Sequence, residues 1–525
     1  MSTIALHGAV PAAKPEQSEG RKLFAFFCMV FGMFMAILDI QIVSASLTEI
    51  QAGVSASADE ISWVQTAYLI AEVIMIPLSG TLSRVLSTRW MFVIASGGFT
   101  LMSFMCATSS TINELILWRA LQGFIGGGMI PTVFASAYTI FPPSKRGVVT
   151  PLIGLVATLA PTIGPTIGGY LTDLFSWHWL FLVNVVPGIF VTVATYFLVD
   201  FDEPQWNLLS TFDWAGLAFM AAFLGCLEYV LEEGPNHDWL SEEAVAISAV
   251  VSLVAGIAFF WRVLTAKHPI VDLRAFADRN FAVGSLFSFI MGIGLYGLTY
   301  LYPVYLGRVR GMSALQIGET MFVTGICMFL TAPIAGRMSM KLDPRVMMGI
   351  GFLGFGVGTW WASYITKDWA FGELVVPQIF RGVSLMVCMI PINNVALGTL
   401  PPDRIKNASG LYNLTRNLGG AVGLALINTL LNWRWDLHLQ RLRETLSWSH
   451  FRTLETLDTF KGAFSRLGSD AEMAALKQLE ALFRQEALVM AFGDVFLALT
   501  ALFVGMTVML VFVKKPAAAA GADAH

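Results

Sequence analysis

The sequence predicts an all-helical protein that crosses a membrane many times and consists of two related halves. Of its 525 residues, 56% are hydrophobic and only 13% are charged, whereas soluble domains carry about 25% charge. The mean hydropathy is +0.68. In addition, landmarks in the first half of the chain recur about 260 residues later.

The repeat is carried by short runs around proline at near-constant offsets of 256, 260 and 259 residues. The paired runs are 77–80 with 333–336, 130–131 with 390–391, and 141–143 with 400–402. A constant offset across separate landmarks indicates two copies of one helical unit. That arrangement is typical of transporters with a substrate path between pseudo-equivalent halves.

Apolar windows of about 20 residues, long enough to cross a bilayer as a helix, recur fourteen times. They lie near 23–45, 61–82, 90–109, 113–135, 148–172, 178–200, 211–231, 243–264, 281–306, 314–338, 345–365, 372–398, 407–431 and 489–513. With the N-terminus inside, the short outer loops hold only three basic residues, Arg308, Arg310 and Lys367. The positive-inside rule therefore places both termini in the cytoplasm.

The repeat divides these spans into two six-helix halves with a helical pair inserted between them. The predicted divisions are a disordered cytoplasmic N-terminus at 1–20, a first half at 21–200, the inserted pair at 201–270, a second half at 271–513 and a cytoplasmic tail at 514–525. The second half includes a long outer loop at 432–488, where leucines at helical spacing predict two amphipathic helices separated near 467–469. This loop is either a solvated helical hairpin or a surface that meets a partner or the membrane.

Several charged residues lie inside the predicted spans, where each costs roughly 2.5–3.5 kcal/mol and usually has a function. Asp39 and Arg119 lie at similar depth on the outer third, and Glu72 lies near the middle of the second span. We expect these three residues to couple transport to proton movement. The alternative for Asp39 and Arg119 is a pair that only locks two helices together. Glu228 and Glu319 lie near outer span ends, where snorkelling to the interface is the simpler interpretation.

Two embedded arginines of the second half, Arg381 and Arg416, have no clear acidic partner in the sequence. Pairing with carbonyl groups, water or an anionic substrate group remains open for both. The five cysteines all lie in apolar runs, so neither a disulfide nor a metal site is expected. The net charge of −4 indicates no nucleic-acid partner. The sequence contains no nucleophile–base set or phosphate loop, so we expect no enzyme activity and no cofactor other than the proton gradient.

The fifth span contains prolines four residues apart with small residues between them. The residues of this pattern are Ala160, Pro161, Gly164, Pro165, Gly168 and Gly169. Proline removes backbone donors and glycine lets another helix approach, so the pattern predicts a kinked, closely packed hinge. A kinked packing helix without a switching role would have the same pattern.

At these motifs the chain resembles the major facilitator superfamily, and within it the fourteen-span drug:proton antiporters of the EmrB/QacA type. The run 160–169 resembles the antiporter motif of span five. The run 117–123 resembles a span-four motif whose arginine, here Arg119, is implicated in proton transfer, and 38–43 resembles the span-one motif with its embedded Asp39. The run 80–84 corresponds to the cytoplasmic loop motif, but Arg84 stands where the family has an acidic residue. The resemblance implies a cytoplasmic gate formed by Gly80, Arg84 and Arg89.

The long outer loop is similar to that of the Gram-negative EmrB branch. This resemblance implies a proton-driven multidrug exporter in the inner membrane, embedded in the lipid bilayer, that handles lipophilic small molecules and works with a periplasmic membrane-fusion adaptor and an outer-membrane channel. Alternatives are a proton-coupled importer, a dedicated exporter of one metabolite, fatty acid or siderophore, and a scaffold or sensor that no longer transports.

We expect the substrate pocket to be lined by aromatic, methionine and amide side chains of both halves. The candidates are Gln41, Trp63, Gln65, Tyr68, Tyr296, Tyr300, Met389, Asn393, Tyr412 and Asn413.

Overall fold

The computed structural model describes residues 18–445 and 451–510, and α-helices dominate this part of the chain. The predicted tails therefore lie largely outside the described residues. The helices are α1 Glu19–Ala45, α2 Leu47–Val54, α3 Ala58–Ala107, α4 Ile112–Gly126, α5 Met129–Ile140, α6 Pro143–Leu174, α7 Trp179–Leu182, α8 Val185–Leu198, α9 Trp214–Glu233, α10 Glu243–Thr265, α11 Arg279–Arg308, α12 Ala314–Ser339, α13 Pro344–Ala362, α14 Phe371–Leu397, α15 Pro402–Thr445, α16 Phe451–Ala463 and α17 Ala471–Met509.

Two helices that correspond in the repeat begin with the same local device. At the start of α3, the Ser57 hydroxyl accepts a hydrogen bond from the Glu60 N–H while the Glu60 carboxylate accepts one from the Ser57 N–H. Ser313 and Gln316 form the same capping box at the start of α12. Such a box satisfies two backbone donors that a helix start leaves without partners. The two serines are 256 residues apart, the same offset as between Pro77 and Pro333.

The fifty-residue helix α3 contains one break, at Ser87, whose φ of 77° lies in the left-handed region. The break divides α3 into two membrane-length segments, called here the first and second parts of α3. Among the described residues, ten helices are long and apolar enough to cross a membrane, or eleven if the bent helix α6 is counted as one span. The sequence predicts fourteen spans, which is more than these ten or eleven, in part because the two parts of α3 together count as one helix.

The first half packs α1, α4, α5, α6 and α8 around the two parts of α3, and the second half packs α11 to α15 and the end of α17 around one another. The halves meet mainly through α6 with α12 and through α15 with α3 and α5. The inserted helices α9 and α10 pack on each other, and α9 also contacts both α3 and α15. The inserted pair therefore touches both halves.

The end of α15, α16 and the first part of α17 form a helical hairpin within residues 432–445 and 451–488, the range where the sequence predicts amphipathic helices. We call it the outer hairpin. Its small core contains buried Leu457 and Leu479, packed against aromatic side chains such as Phe460 and Phe483. Ion pairs flank it, including Arg443 with Glu480 at 3.3 Å. The guanidinium groups of Arg484 and Arg443 lower the pKa of the exposed Glu480 carboxyl below its usual value. The turn between α16 and α17 contains Gly468, with a φ of 58° that favours glycine.

Candidate functional site

The first half contains a fully buried ion pair between Asp39 of α1 and Arg119 of α4. The Arg119 Nη1 lies 2.6 Å from the Asp39 Oδ2, and neither side chain has any exposed surface. The structure thus brings together the two residues that the sequence places at similar depth. A buried pair of this kind is stable only if further hydrogen bonds satisfy its remaining donors and acceptors.

Three polar side chains, Gln122 of α4, Ser103 of α3 and Asn184 just before α8, surround the pair and supply most of these hydrogen bonds, while the Arg119 Nη2 has no partner among the described residues. Asn184 donates to the Asp39 Oδ1 at 2.7 Å, and Gln122 donates to the same oxygen at 3.3 Å. Gln122 also accepts from the Arg119 Nη1 at 2.8 Å and donates to the Ser103 hydroxyl at 2.6 Å. Our sequence reasoning did not find Ser103 and Asn184, although a polar residue within an apolar span was the signal available. The carboxylate is therefore held in one position by helices from several parts of the first half.

The aromatic ring of Tyr68 lies beneath this ion pair instead of lining a substrate pocket. The Arg119 guanidinium carbon is 4.2 Å from the ring centroid, a distance at which cation–π attraction is appreciable. The Arg119 Nε donates to the Val64 carbonyl at 3.2 Å. In this conformation the Tyr68 ring is completely buried against Arg119 and is not part of the cavity lining described below.

Glu72 of α3 faces a separate cavity of about 60 Å³ between the two halves. Its side chain is 3% exposed and makes no hydrogen bond or ion pair with any described residue. Residues of both halves and of the inserted helix α9 complete the lining: Ile40, Leu69, Val73, Glu228, Glu232, Tyr296, Asn417, Gly420, Ala421 and Leu424. We call this space the central cavity.

The central cavity corrects one expectation and supports another. The snorkelling interpretation of Glu228 is wrong, because this side chain is only 6% exposed and lines the cavity. Glu319 is exposed on α12, as snorkelling requires. Of the ten candidate pocket residues, Tyr296 is the one that lines the central cavity, and its hydroxyl donates to the Asn417 Oδ1 at 3.3 Å.

Three further candidates belong to a buried polar group within the second half. The Tyr412 hydroxyl donates to the Asn393 side chain, and the Arg416 Nη2 donates to the Asn413 Oδ1 at 2.5 Å. The Arg416 guanidinium also lies 4.9 Å above the ring of Phe134, which belongs to the first half. These residues therefore form part of the contact between the halves.

The remaining candidates and Arg381 do not line the central cavity. Trp63 is 39% exposed and stacks on Tyr229 of α9. Gln65 is buried and Tyr300 is partly buried, and buried Met389 lies beside Gly154 of α6. The Arg381 Nη2 donates to the Thr299 hydroxyl at 2.5 Å. The pocket expected from the sequence is thus not assembled as one group in this conformation.

The proline–glycine pattern of α6 lies against α1 at very close range. Helix α6 bends by 44° between its segments 149–161 and 163–174, as expected where Pro165 removes a backbone hydrogen bond. A Cβ atom on Gly164 would be 2.5 Å from the Cβ of Gln41, and one on Gly168 would be 3.0 Å from the Ile42 carbonyl oxygen. Gln41 therefore contacts the hinge helix and is not among the cavity residues.

The inner ends of the halves, which are the ends where α1 and α11 begin, are joined by polar contacts. A Cβ atom on Gly80 would lie 2.9 Å from the Lys406 carbonyl oxygen, so only glycine allows this approach. Lys406 forms an ion pair with Asp202 and donates to the Ser83 carbonyl at 3.1 Å. Asp202 also accepts from the Thr88 N–H at 3.0 Å. Lys406 thus links Asp202, an acidic residue, to the loop run 80–84, which contains none.

The other two gate candidates do not cross between the halves. Arg89 pairs with Asp200 at 2.8 Å and donates to the Val199 carbonyl, both within the first half. The Arg84 carbonyl accepts from the Gln205 N–H at 3.2 Å. The Arg84 side chain makes no ion pair within 18–445 and 451–510. Sequence reasoning missed Asp202, whose signal was an acidic residue in the loop directly after the sixth predicted span.

Two helical halves around a central cavity, with an ion pair buried in one of them, are typical of an integral membrane transport protein. A profile of the Major Facilitator Superfamily matches residues 29–424. The chain belongs to this superfamily and, within it, to the EmrB-type branch. It is 42% identical over 490 residues to the colistin resistance protein EmrB of Acinetobacter baumannii. The aligned residues cover 93% of this chain and 96% of the relative.

Other comparisons agree with this assignment. The multidrug export protein EmrB of Escherichia coli strain K12 is 29% identical over 497 residues, covering 93% of this chain and 94% of the relative. Among solved structures, the human organic anion transporter MFSD10 superposes with a TM-score of 0.59 at 13% identity, covering 93% of this chain and all of the other. The proton:xylose symporter XylE has a TM-score of 0.58 at 14% identity, covering 95% and 97%. At these identities the solved structures establish the fold alone.

Proposed function

We propose that this protein is a proton-driven antiporter that exports amphipathic or lipophilic toxic compounds. The observation that carries the proposal is the buried Asp39–Arg119 pair in a chain 42% identical to a colistin resistance protein. A buried charge pair costs free energy to maintain, and within membranes such groups mark ion or proton paths. The partnerless Glu72 in the central cavity adds a second carboxylate on the proposed path.

The proposed topology has fourteen membrane crossings in a bacterial inner membrane. The ten long apolar helices count the two parts of α3 once. Separating these parts at Ser87 adds one crossing, and α6, α13 and the first part of α15 add three. The scarcity of basic residues in the outer loops supports cytoplasmic termini.

In the proposed cycle, a proton enters from the outer side and neutralises Asp39 or Glu72. Protonated Asp39 holds Arg119 less strongly, which loosens the contact between α1 and α4. Release of the proton on the inner side restores the pair. Alternation requires the inner contact to open and close, and here the contact of Asp202 with Lys406 holds it closed. No cofactor takes part; the proton gradient supplies the free energy.

The outer hairpin is the proposed contact for a periplasmic adaptor that leads to an outer-membrane channel. It extends α15 and α17 beyond their apolar parts. Leu479 is buried and Phe483 packs beside it in the hairpin's own core, so these two side chains do not form a free apolar surface. An adaptor would therefore bind the charged outer surface of the hairpin.

A dedicated exporter of one compound is the alternative that a specific comparison favours. The fatty acid resistance protein FarB of Neisseria gonorrhoeae is 28% identical over 494 residues, covering 94% of this chain and 96% of that protein. A single amphipathic substrate would use the same halves and the same coupling carboxylates.

Transport in proteoliposomes separates these possibilities. The purified protein is reconstituted with a pH-sensitive dye inside, and a pH gradient is imposed before compounds of different charge are added. Compound-dependent dissipation of the gradient supports proton-driven export. A response to many unrelated amphiphiles indicates a multidrug exporter, and a response to fatty acids alone indicates the dedicated one. No proton movement with any compound, in protein shown to be folded, would contradict the proposal.

A further inference from the structure

The central cavity contains three carboxyl groups. The inserted helix α9 contributes two of them, and neither has a role in the proposed cycle. Glu228 and Glu232 lie one helical turn apart on the inserted helix α9, while Glu72 faces them from α3. Like charges at this spacing repel each other. The inserted pair therefore does more than fill space between the halves, because it places acidic groups where the two halves meet.

Glu72 is independent evidence that this space is a binding site and not a solvated acidic surface. It belongs to a different helix, its side chain is 97% removed from solvent, and it has no hydrogen-bond or ion-pair partner among residues 18–445 and 451–510. A buried carboxyl group without a partner is costly unless something satisfies it. The guanidinium group of Arg119, on a neighbouring helix, bonds Asp39 and Gln122 through its Nη1 and makes no ion pair with Glu72.

The rest of the lining determines which ligand would fit. Leu69 and Val73 form an apolar wall on one side, and Ala421 and Leu424 form another on α15. The ring of Tyr296 supplies a π face, to which cations are attracted. A volume of about 60 Å³ holds a few water molecules or one small cationic head group. Carboxyl groups, an aromatic ring and apolar walls together match a lipophilic amine.

We propose that the central cavity binds the cationic head of lipophilic amines, held between Glu72 of the first half and Glu228 of the inserted helix α9. Glu232 lies one turn closer to the outer end of α9 and attracts the cation at the entrance. The first methylene groups of the apolar tail contact the walls from α3 and α15. This inference rests on the proposed export function and names one substrate class for it.

Calorimetry on the full chain in nanodiscs of zwitterionic lipid tests the site, with empty nanodiscs as the reference for partition into lipid. The probes are octylammonium and octanol, which share a tail but differ in charge. The variants are Glu228→Gln and Glu72→Gln. The matched control is Glu319→Gln, which removes a carboxylate exposed on α12. Thermal unfolding of each variant shows that it is folded.

We expect octylammonium to bind the wild type and the control alike, and to bind each cavity variant at least about tenfold more weakly, since losing one partner of a desolvated charge pair is costly. Octanol should bind all four proteins equally. Unchanged octylammonium binding in both cavity variants would overturn the inference. Proton-driven export of neutral compounds without amine binding would also overturn it and leave the proposed function standing. Glu228-dependent amine binding without any proton-driven transport would support the inference and remove the proposed function.

Discussion

Lys406 of α15 pairs with Asp202, in the loop after α8, and so joins the inner ends of the two halves. The side chains are 15% and 25% exposed, so the pair is largely shielded from water. Asp202 also accepts the Thr88 N–H beside the break at Ser87. The Asp202 carboxylate therefore contacts both α3 of the first half and α15 of the second half.

Replacing Asp202 with asparagine should favour conformations in which the inner ends are apart. The loss of a pair worth about 1 kcal/mol corresponds to a shift of about fivefold in the population. Distances between spin labels at Trp90 and Met340, in a cysteine-free background, would measure the change. Asp200→Asn is the control, because Asp200 pairs with Arg89 within the first half. A distance distribution identical to the wild type would exclude this pair as the inner closure.

The Asp39–Arg119 pair should prove to be a coupling device and not only a helix lock. Asp39→Asn alone leaves a buried guanidinium without its charge partner, which should cost about 3–5 kcal/mol and lower the thermal stability. The double variant Asp39→Asn with Arg119→Gln removes both charges and should recover most of that stability. Proton-driven export, measured in proteoliposomes, should remain at least about tenfold below wild type in the double variant. Wild-type transport by a stable double variant would reduce the pair to a structural role.

Gly164→Ala should disturb the contact between α1 and α6. Its new Cβ would lie 2.5 Å from the Gln41 Cβ, so α1 and α6 must separate. Overpacking of this kind typically costs about 1–3 kcal/mol. Trimming the neighbour in the double variant Gly164→Ala with Gln41→Gly should restore thermal stability. Gly505→Ala, with nothing within 4 Å of the new Cβ, is the control. Equal melting temperatures for both alanine variants would show that α6 is not closely packed there.

Replacing the outer hairpin, residues 432–488, with a Gly/Ser linker should separate transport from handover to an adaptor. The hairpin core of Leu457 and Leu479 is distinct from the main core, so the membrane halves should still fold. We expect antiport in proteoliposomes to stay within about twofold of wild type, while resistance in whole cells and adaptor capture are lost. Adaptor capture by the deleted protein would contradict the docking proposal. Loss of antiport would make the hairpin part of the transport core.

The spans and the embedded charges could be predicted from the sequence because each has a local signal. An apolar window indicates a helix, and Asp39 within it is conspicuous. The partners of these residues could not be predicted. Glu228 lies near a span end, where snorkelling costs little, and only the packing of α9 against α3 and α15 shows that it is buried.

Candidate pocket residues were the least predictable, since an aromatic side chain in a span packs equally well inside a helix bundle and at the wall of a cavity. Tyr68 and Tyr296 have the same chemistry, yet one lies under Arg119 and the other lines the central cavity. The contact of Asp202 could not be predicted either, because it depends on a lysine about 200 residues away in the sequence.

Helix α15 runs without interruption for 44 residues, from the inner face into the outer hairpin. At 1.5 Å per residue it is about 66 Å long, roughly twice the thickness of the hydrocarbon core. Thr445 lies about 42 Å along this rod from Asn417, which lines the central cavity. A tilt of about 10° around that point would sweep the tip through about 7 Å. In the proposed cycle this rod would act as a lever, since a small tilt at the central cavity would become a displacement of several ångströms at the outer hairpin, where the proposed adaptor binds.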